Sequence, residues 1–461
     1  MDLNIFLLLF ISYIKTSYSK TPIFVISIFQ NGVKSPNNLN ENSRDIFNKK
    51  WINKRKLTSI GRRMHYILGY KNYRKYIDGM NFLSSNYNPN EIYILSKNNI
   101  ENIESVECQL QGLYPLNNFF AEKINENQQK KSIPPINISK SLNYEIERLN
   151  SLNSPLPEFT NTIPYHIFFN YDYEKKYEKC YNKINQIREN NLNNNDIKNL
   201  TNEFNLDFKN GFNKLFNEKG EYSFVYIEKI CEDFLLNLNN GNDLSFIENY
   251  KIEKEKLKTY CEKVNIIKFT KYYFSEEKNE TINIEISPLF NELLILLKNK
   301  IQTNLNKNKI IKNKKLIMFS GDEFTIIGIE IFMNKVFQMN DSIKSSFATN
   351  IFFEIYKKDS NSSEYENYEV DYIINDILIK TINLKEFIEK IEKNILNENK
   401  ILKFCGLKIN EENNSILDLK IIIWILLIII TLLFISMIIL YLKLKKRNTE
   451  KIDSFKINSY E

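Results

Sequence analysis

The run IIIWILLIIITLLFISMIILYL, from Ile421 to Leu442, carries no charged residue over 22 positions. As a helix it can cross the ~30 Å hydrocarbon core of a bilayer. A buried helix of a soluble protein would show a polar stripe, and this one has almost none. The basic stretch KLKKR follows at 443–447, and basic flanks stay on the cytoplasmic side of a span. A second apolar run, IFLLLFISYI at 5–14, precedes Ser17 and Ser19 at the small-x-small spacing of a cleaved signal sequence. Together the two predict a single-pass type I membrane protein. Its expected parts are a signal peptide (1–19), an extracellular or lumenal portion, a span (421–442) and a cytoplasmic tail (443–461). The plasma membrane or a lysosome-like compartment suits that topology.

At 461 residues the chain has room for two or three ordinary domains. Hydrophobic residues make up 43% of the chain, enough for a core, and the net charge is only +7. No dense basic stripe interleaves with aromatics, so a nucleic-acid partner is not expected. The membrane is the one partner the sequence names. Cys108, Cys180, Cys231, Cys261 and Cys405 all precede the span and are expected in an oxidising compartment. Five cysteines leave at least one thiol unpaired, and spacing does not fix the pairing. Only His65 and His166 occur, with no Cys/His cluster, so neither a zinc site nor another cofactor is expected. Sequons at Asn137, Asn199, Asn279, Asn340, Asn361 and Asn413 predict some glycosylation.

Periodicity gives an α/β chain, a sheet flanked by helices with an inserted, mostly helical cap. Ile23 to Phe29 is apolar throughout, as a central strand is. LTSIGRRMHYILGYKNYRKYI (57–77) reads as a helix capped by Thr58 or Ser59, with Ile60, Met64, Ile67 and Leu68 on one face. EIYILS (91–96) is a second strand, and a helix should follow through NIESVECQLQGLY. This strand–helix alternation covers 20–124 and returns over 266–394. There EISPLFNELLILLKNKI is helical, and KKLIMFSGDEFTII is a strand running into a loop. SSFATNIFFEIYK and YEVDYIINDILIK pair as a hairpin. Residues 125–265, rich in Lys, Glu and Asn, form the helical insertion, ISKSLNYEIE excepted. Residues 395–420 form a stalk.

Five of these stretches, in order, resemble the histidine acid phosphatase family. IFVISIFQNGVKSP is similar to the strand and loop of that family's RHGxRxP motif. The helix LTSIGRRMHYILGYKNYRKYI, the pair YNPNEIYILS and QLQGLYP, the segment KLIMFSGDEFTI and the strand FATNIFFEIY match further motifs. In that family an imidazole attacks phosphorus, arginines and a second histidine hold the phosphoryl oxygens, and an aspartic acid protonates the leaving group. The resemblance places Gln30 where the first arginine stands, Asn31 at the nucleophile and Lys34 at the second arginine. It places Glu101 at the third arginine, and Asp322 and Glu323 at the His-Asp pair. None of the six is identical.

The substitutions predict a phosphatase-like protein that does not catalyse, used for binding or structure. The alternative is an active acid phosphatase acting on phosphomonoesters. An amide nitrogen is delocalised into its carbonyl, so Asn31 cannot replace an imidazole nucleophile. A carboxylate 4 Å from a phosphate oxygen opposes it by roughly 4 kcal/mol at an effective dielectric of 20. Asn31, Glu101, Asp322 and Glu323 also offer oxygen donors of the kind Ca²⁺ takes, against which a local Lys34–Glu101 ion pair is the simpler expectation. In a sheet of this kind the ligand crevice lies beyond the carboxyl ends of the strands. The loops after Phe29 and Ser320 should therefore share one cleft, with Asn31 near Asp322.

Overall fold

The computed structural model describes residues 21–115, 125–133, 139–152, 163–168, 184–273, 280–301, 314–344, 346–358, 365–406 and 423–443. The expected signal peptide, nearly all of the expected cytoplasmic tail and most of the expected stalk lie outside these described residues. Residues 1–401 and 402–461 form separate units.

The first strand, β1 (Phe24–Gln30), is buried at every position. It pairs in parallel with β4 (Leu316–Gly321) on one side and antiparallel with β5 (Asn350–Lys357) on the other. With β2 (Ile92–Lys97), β3 (His166–Phe168), β6 (Tyr368–Ile374) and β7 (Ile377–Asn383) they form one sheet in the order β3-β2-β4-β1-β5-β6-β7. The first four in that order run parallel and the rest antiparallel. Side chains alternate across a strand, so β1 feeds two cores. Phe24, Ile26 and Ile28 pack with Leu293 and Leu297 of α8 (Glu280–Ile301) and with α9 (Glu323–Val336) and α10 (Leu384–Asn394). Val25 and Phe29 face Leu110 of α2 (Ile100–Leu113) and Tyr76, which follows α1 (Ser59–Asn72) in a π-helical turn.

A third core belongs to the insertion. Helices α4 (Asn195–Asp207), α5 (Lys209–Phe216), α6 (Phe224–Asn239) and α7 (Lys254–Ile267) surround Phe204, Phe212 and Phe234. The Cys231–Cys261 disulfide joins α6 to α7. Phe47, from the long loop after β1, inserts among Phe212, Phe216 and Phe234. Cys108 is free and buried, and Cys405 is disulfide-bonded.

Four expectations are corrected. Thr58 does cap α1, accepting a bond from the Gly61 N–H, but the buried face is Gly61, His65 and Gly69, while Ile60 and Ile67 are exposed. The reason is the close approach of α2. A Cβ at Gly112 would stand 2.0 Å from the Tyr66 carbonyl oxygen, so only a bare backbone fits that crossing. The later strands number three, because Asn375 and Asp376 both adopt positive φ and turn the chain tightly between β6 and β7. The segment ISKSLNYEIE is helical, within α3 (Lys140–Leu152). Within the insertion, His166–Phe168 joins the sheet edge beside β2.

The second unit contains α11, Ile423–Lys443, with a mean hydropathy of 3.2. Among the described residues it is the one helix long and apolar enough to cross a membrane.

Candidate functional site

The parallel pairing of β1 and β4 sets Gln30 opposite Gly321. Both strands end there, and Asn31 donates its backbone N–H to the Gly321 carbonyl at 3.1 Å. Asn31 and Asp322 therefore lie side by side at the carboxyl edge of the sheet. The chain turns sharply after Asn31 because Gly32 presses on Gly61. A Cβ on Gly32 would meet the Gly61 carbonyl at 2.7 Å.

Of the six sequence-selected residues, Lys34 and Glu101 bond to each other, and Asn31, Asp322 and Glu323 are engaged by residues outside the set. Lys34 Nζ lies 3.2 Å from Glu101 Oε1 and donates to Asn37 Oδ1 at 2.9 Å. Glu101 sits in the first turn of α2 with its side chain 3% exposed, and its Oε2 has no hydrogen-bond partner among the described residues. Asn31 is buried, and its amide nitrogen donates to the Gly32 carbonyl at 2.9 Å. Gln30 is buried at the end of β1 and contributes to the cleft wall.

The expected loop after β4 is a helix start. Asp322 is the N-cap of α9, accepting from the Thr325 N–H at 3.0 Å and from the Thr325 hydroxyl at 2.9 Å. Its carboxylate also takes the Lys97 ammonium at 3.0 and 3.1 Å. Burial alone would raise the Asp322 pKa, but Lys97 and the Thr325 bonds outweigh it and hold the group below its usual value. Glu323 follows in the first turn of α9 and accepts from Asn265 Nδ2 at 2.7 Å.

Lys97 escaped the sequence reading. It ends β2, and only the β2–β4 pairing, with Ser96 opposite Ser320, carries it to Asp322. Its one sequence signal is its position at the carboxyl end of a predicted parallel strand. The insertion supplies residues that sequence reasoning also missed. Glu228, Glu232, Asn265 and Lys268 line a cavity of about 390 Å³ together with Gln30, Lys34 and Glu323. Lys268 is paired with Glu228 at 3.2 Å.

Neither histidine serves the cleft. His65 is fully buried, with its ring 5.5 Å from Phe29 and Nδ1 3.2 Å from Gln109 Oε1. Burial lowers its pKa to about 4, against the opposing pull of the Gln109 and Gln30 bonds. His166 is exposed at the sheet edge, 5.0 Å from the Tyr93 ring. The Ca²⁺ arrangement does not form among the described residues, where no three acidic, His or Cys side chains converge on a metal position. Asp322 is turned to Lys97, and Glu101 to Lys34.

A mixed sheet flanked by helices, with a cleft at the carboxyl ends of its strands, is the architecture that the sequence resemblance implies, and comparison with known proteins agrees. The family model for the histidine phosphatase superfamily (branch 2) matches residues 15–375, and the chain belongs to that family. Lysophosphatidic acid phosphatase type 6 from Mus musculus is 41% identical over 58 residues, 13% of this chain and 14% of that protein. Its Homo sapiens counterpart is 38% identical over the same length. The matched stretch thus spans only a small part of these relatives. Among solved structures, the phytase from Citrobacter braakii superposes with a TM-score of 0.52 at 12% identity, covering 82% of this chain and 98% of that one. Hafnia alvei phytase in complex with myo-inositol hexakis sulphate gives 0.53 at 12%, covering 82% and 97%. These likenesses are of fold.

Proposed function

We propose that the chain is a membrane-anchored histidine-phosphatase fold that does not hydrolyse phosphomonoesters and whose cleft serves binding or structure. The ion pairing of the cleft carries this reading. Lys34, in the loop after β1, and Lys97, at the end of β2, are held by Glu101 and Asp322. A phosphate arriving there would have to displace a carboxylate and then sit beside it. Asn31, at the position of the family's nucleophile, offers an amide already engaged by Gly32, and an amide does not attack phosphorus. Gln30 and Glu323 complete a set without the arginine fork that grips phosphoryl oxygens.

The names of the relatives favour the other reading, an active phosphatase, and one assay separates the two. Full-length protein in detergent, given para-nitrophenyl phosphate, lysophosphatidate or phytate between pH 4 and 8, is expected to release no phosphate above a heat-killed control. Turnover that is proportional to protein and abolished by a cleft substitution would establish the phosphatase and end the proposal.

The same reading gives a type I orientation, with residues 20–420 extracellular or lumenal and 443–461 cytoplasmic. It draws on the span at Ile423–Lys443 and on the basic residues after it. Protease added to intact cells should remove an epitope inserted after Ser19 and spare one at the C-terminus. The reverse pattern rejects the orientation.

A further inference from the structure

The cavity of about 390 Å³ between α6, α7 and the strand-end loops falls within the size range of small-molecule sites, ~300–1,000 Å³. Its two lysines have carboxylates of their own, Lys34 with Glu101 and Lys268 with Glu228. Glu232 and Glu323 are different. Each is hydrogen-bonded to a neutral amide, Asn37 Nδ2 and Asn265 Nδ2 respectively, both at 2.7 Å. No ammonium or guanidinium among the described residues pairs with either.

One further feature points the same way. The half-buried Phe347 lines the same cavity, as do the apolar Leu235 and Ile343. Uncompensated carboxylates, an aromatic side chain and apolar wall residues are together the chemistry that holds an ammonium group on a hydrocarbon body.

We propose that this cleft binds a small organic cation, with Glu232 and Glu323 as its counter-charges and Phe347 against its apolar part. The proposal rests on the reading that the cleft is not a phosphate site. The test is calorimetry on the full-length protein in detergent. The probes are choline, its uncharged isostere 3,3-dimethyl-1-butanol, and inorganic phosphate. Choline should bind at least tenfold more tightly than the alcohol, and phosphate should give no heat. E232Q/E323Q should weaken choline at least tenfold, and Phe347→Leu should weaken it with both carboxylates intact. Equal binding of choline and the alcohol, no binding of choline, or choline affinity unchanged in both variants overturns the proposal. Should E232Q/E323Q not fold, Phe347→Leu and the two uncharged or anionic probes still decide. Failure with choline and no phosphate release removes this inference alone. Phosphate release in the hydrolysis assay removes the reading beneath it.

Discussion

Lys34→Ala is expected to destabilise the protein by about 3–5 kcal/mol, the usual cost of removing one partner from a buried ion pair. The Glu101 side chain is 3% exposed, and the bond to Lys34 at 3.2 Å is the contact made by its carboxylate oxygens. Without the ammonium, a carboxylate remains in a place that water does not reach, and its second oxygen already lacks a donor. Glu101→Gln in the same chain removes the stranded charge, so the double variant should recover most of the loss. A urea-denaturation cycle over the four proteins measures the coupling. Coupling below about 1 kcal/mol would be the behaviour of a solvated pair, and would mean that Lys34 is available to a ligand. The outcome bears on function, because a lysine committed to holding the cleft together is not one that grips phosphate.

The second large effect concerns pH. Burial pushes the Asp233 carboxyl up to about 7, with Asp45 and Glu232 adding to it and the Ile46 N–H and Lys229 opposing. Burial likewise pushes Glu330 up to about 7, against the Lys344 N–H, with Asp341 adding to the rise. In the unfolded chain both carboxyls release their protons near pH 4. Between about pH 4 and 7 these two groups therefore bind more protons in the folded chain, and their contribution to stability falls as pH rises; the buried His65, lowered to about 4, opposes them below its usual value of 6.5 but is one group against two. The contribution is complete below the unfolded value and gone above about 7, roughly 3–4 kcal/mol for each group. Asp322 and Glu91 have lowered values, so their contribution is lost only at more acidic pH. The urea midpoint should be clearly higher at pH 5 than at pH 8. D233N/E330Q should flatten the profile, since each amide oxygen can still accept the backbone N–H of Ile46 or Lys344. A midpoint that rises toward pH 8 would refute this. Asp233 and Asp45 join the loop after β1 to α6, so the same titration also grips or loosens the loop that carries Phe47 into the cap.

What the sequence made legible was local. β1, β2, α2, α8 and β4 follow from apolar runs and their periodicity, and the strand-end motifs placed Asn31 beside Asp322. Failures came where a partner far along the chain decides. The face of α1 was misread because an apolar stripe normally marks the buried side, whereas here Gly61 and Gly69 allow another backbone to approach. The turn at Asn375–Asp376 was missed because the flanking strands read as one. At three residues, β3 is too short to show a period. In the candidate site, the family motifs gave the strand-end residues, but Lys97, Glu232, Asn265 and Phe347 reach the cleft from four separate places in the chain. No local pattern marks them.

The Cys231–Cys261 bond has a consequence for recognition. Both cysteines lie on the cavity wall, and they tie α6, which carries Glu232, to α7, which carries Asn265. The two helices therefore form one wall of fixed geometry, on which Glu232 and Asn265 keep a set separation. A guest meets that wall as a rigid template, and whatever adjustment its size demands falls to the opposite side, built from the strand-end loops, which the bond does not hold.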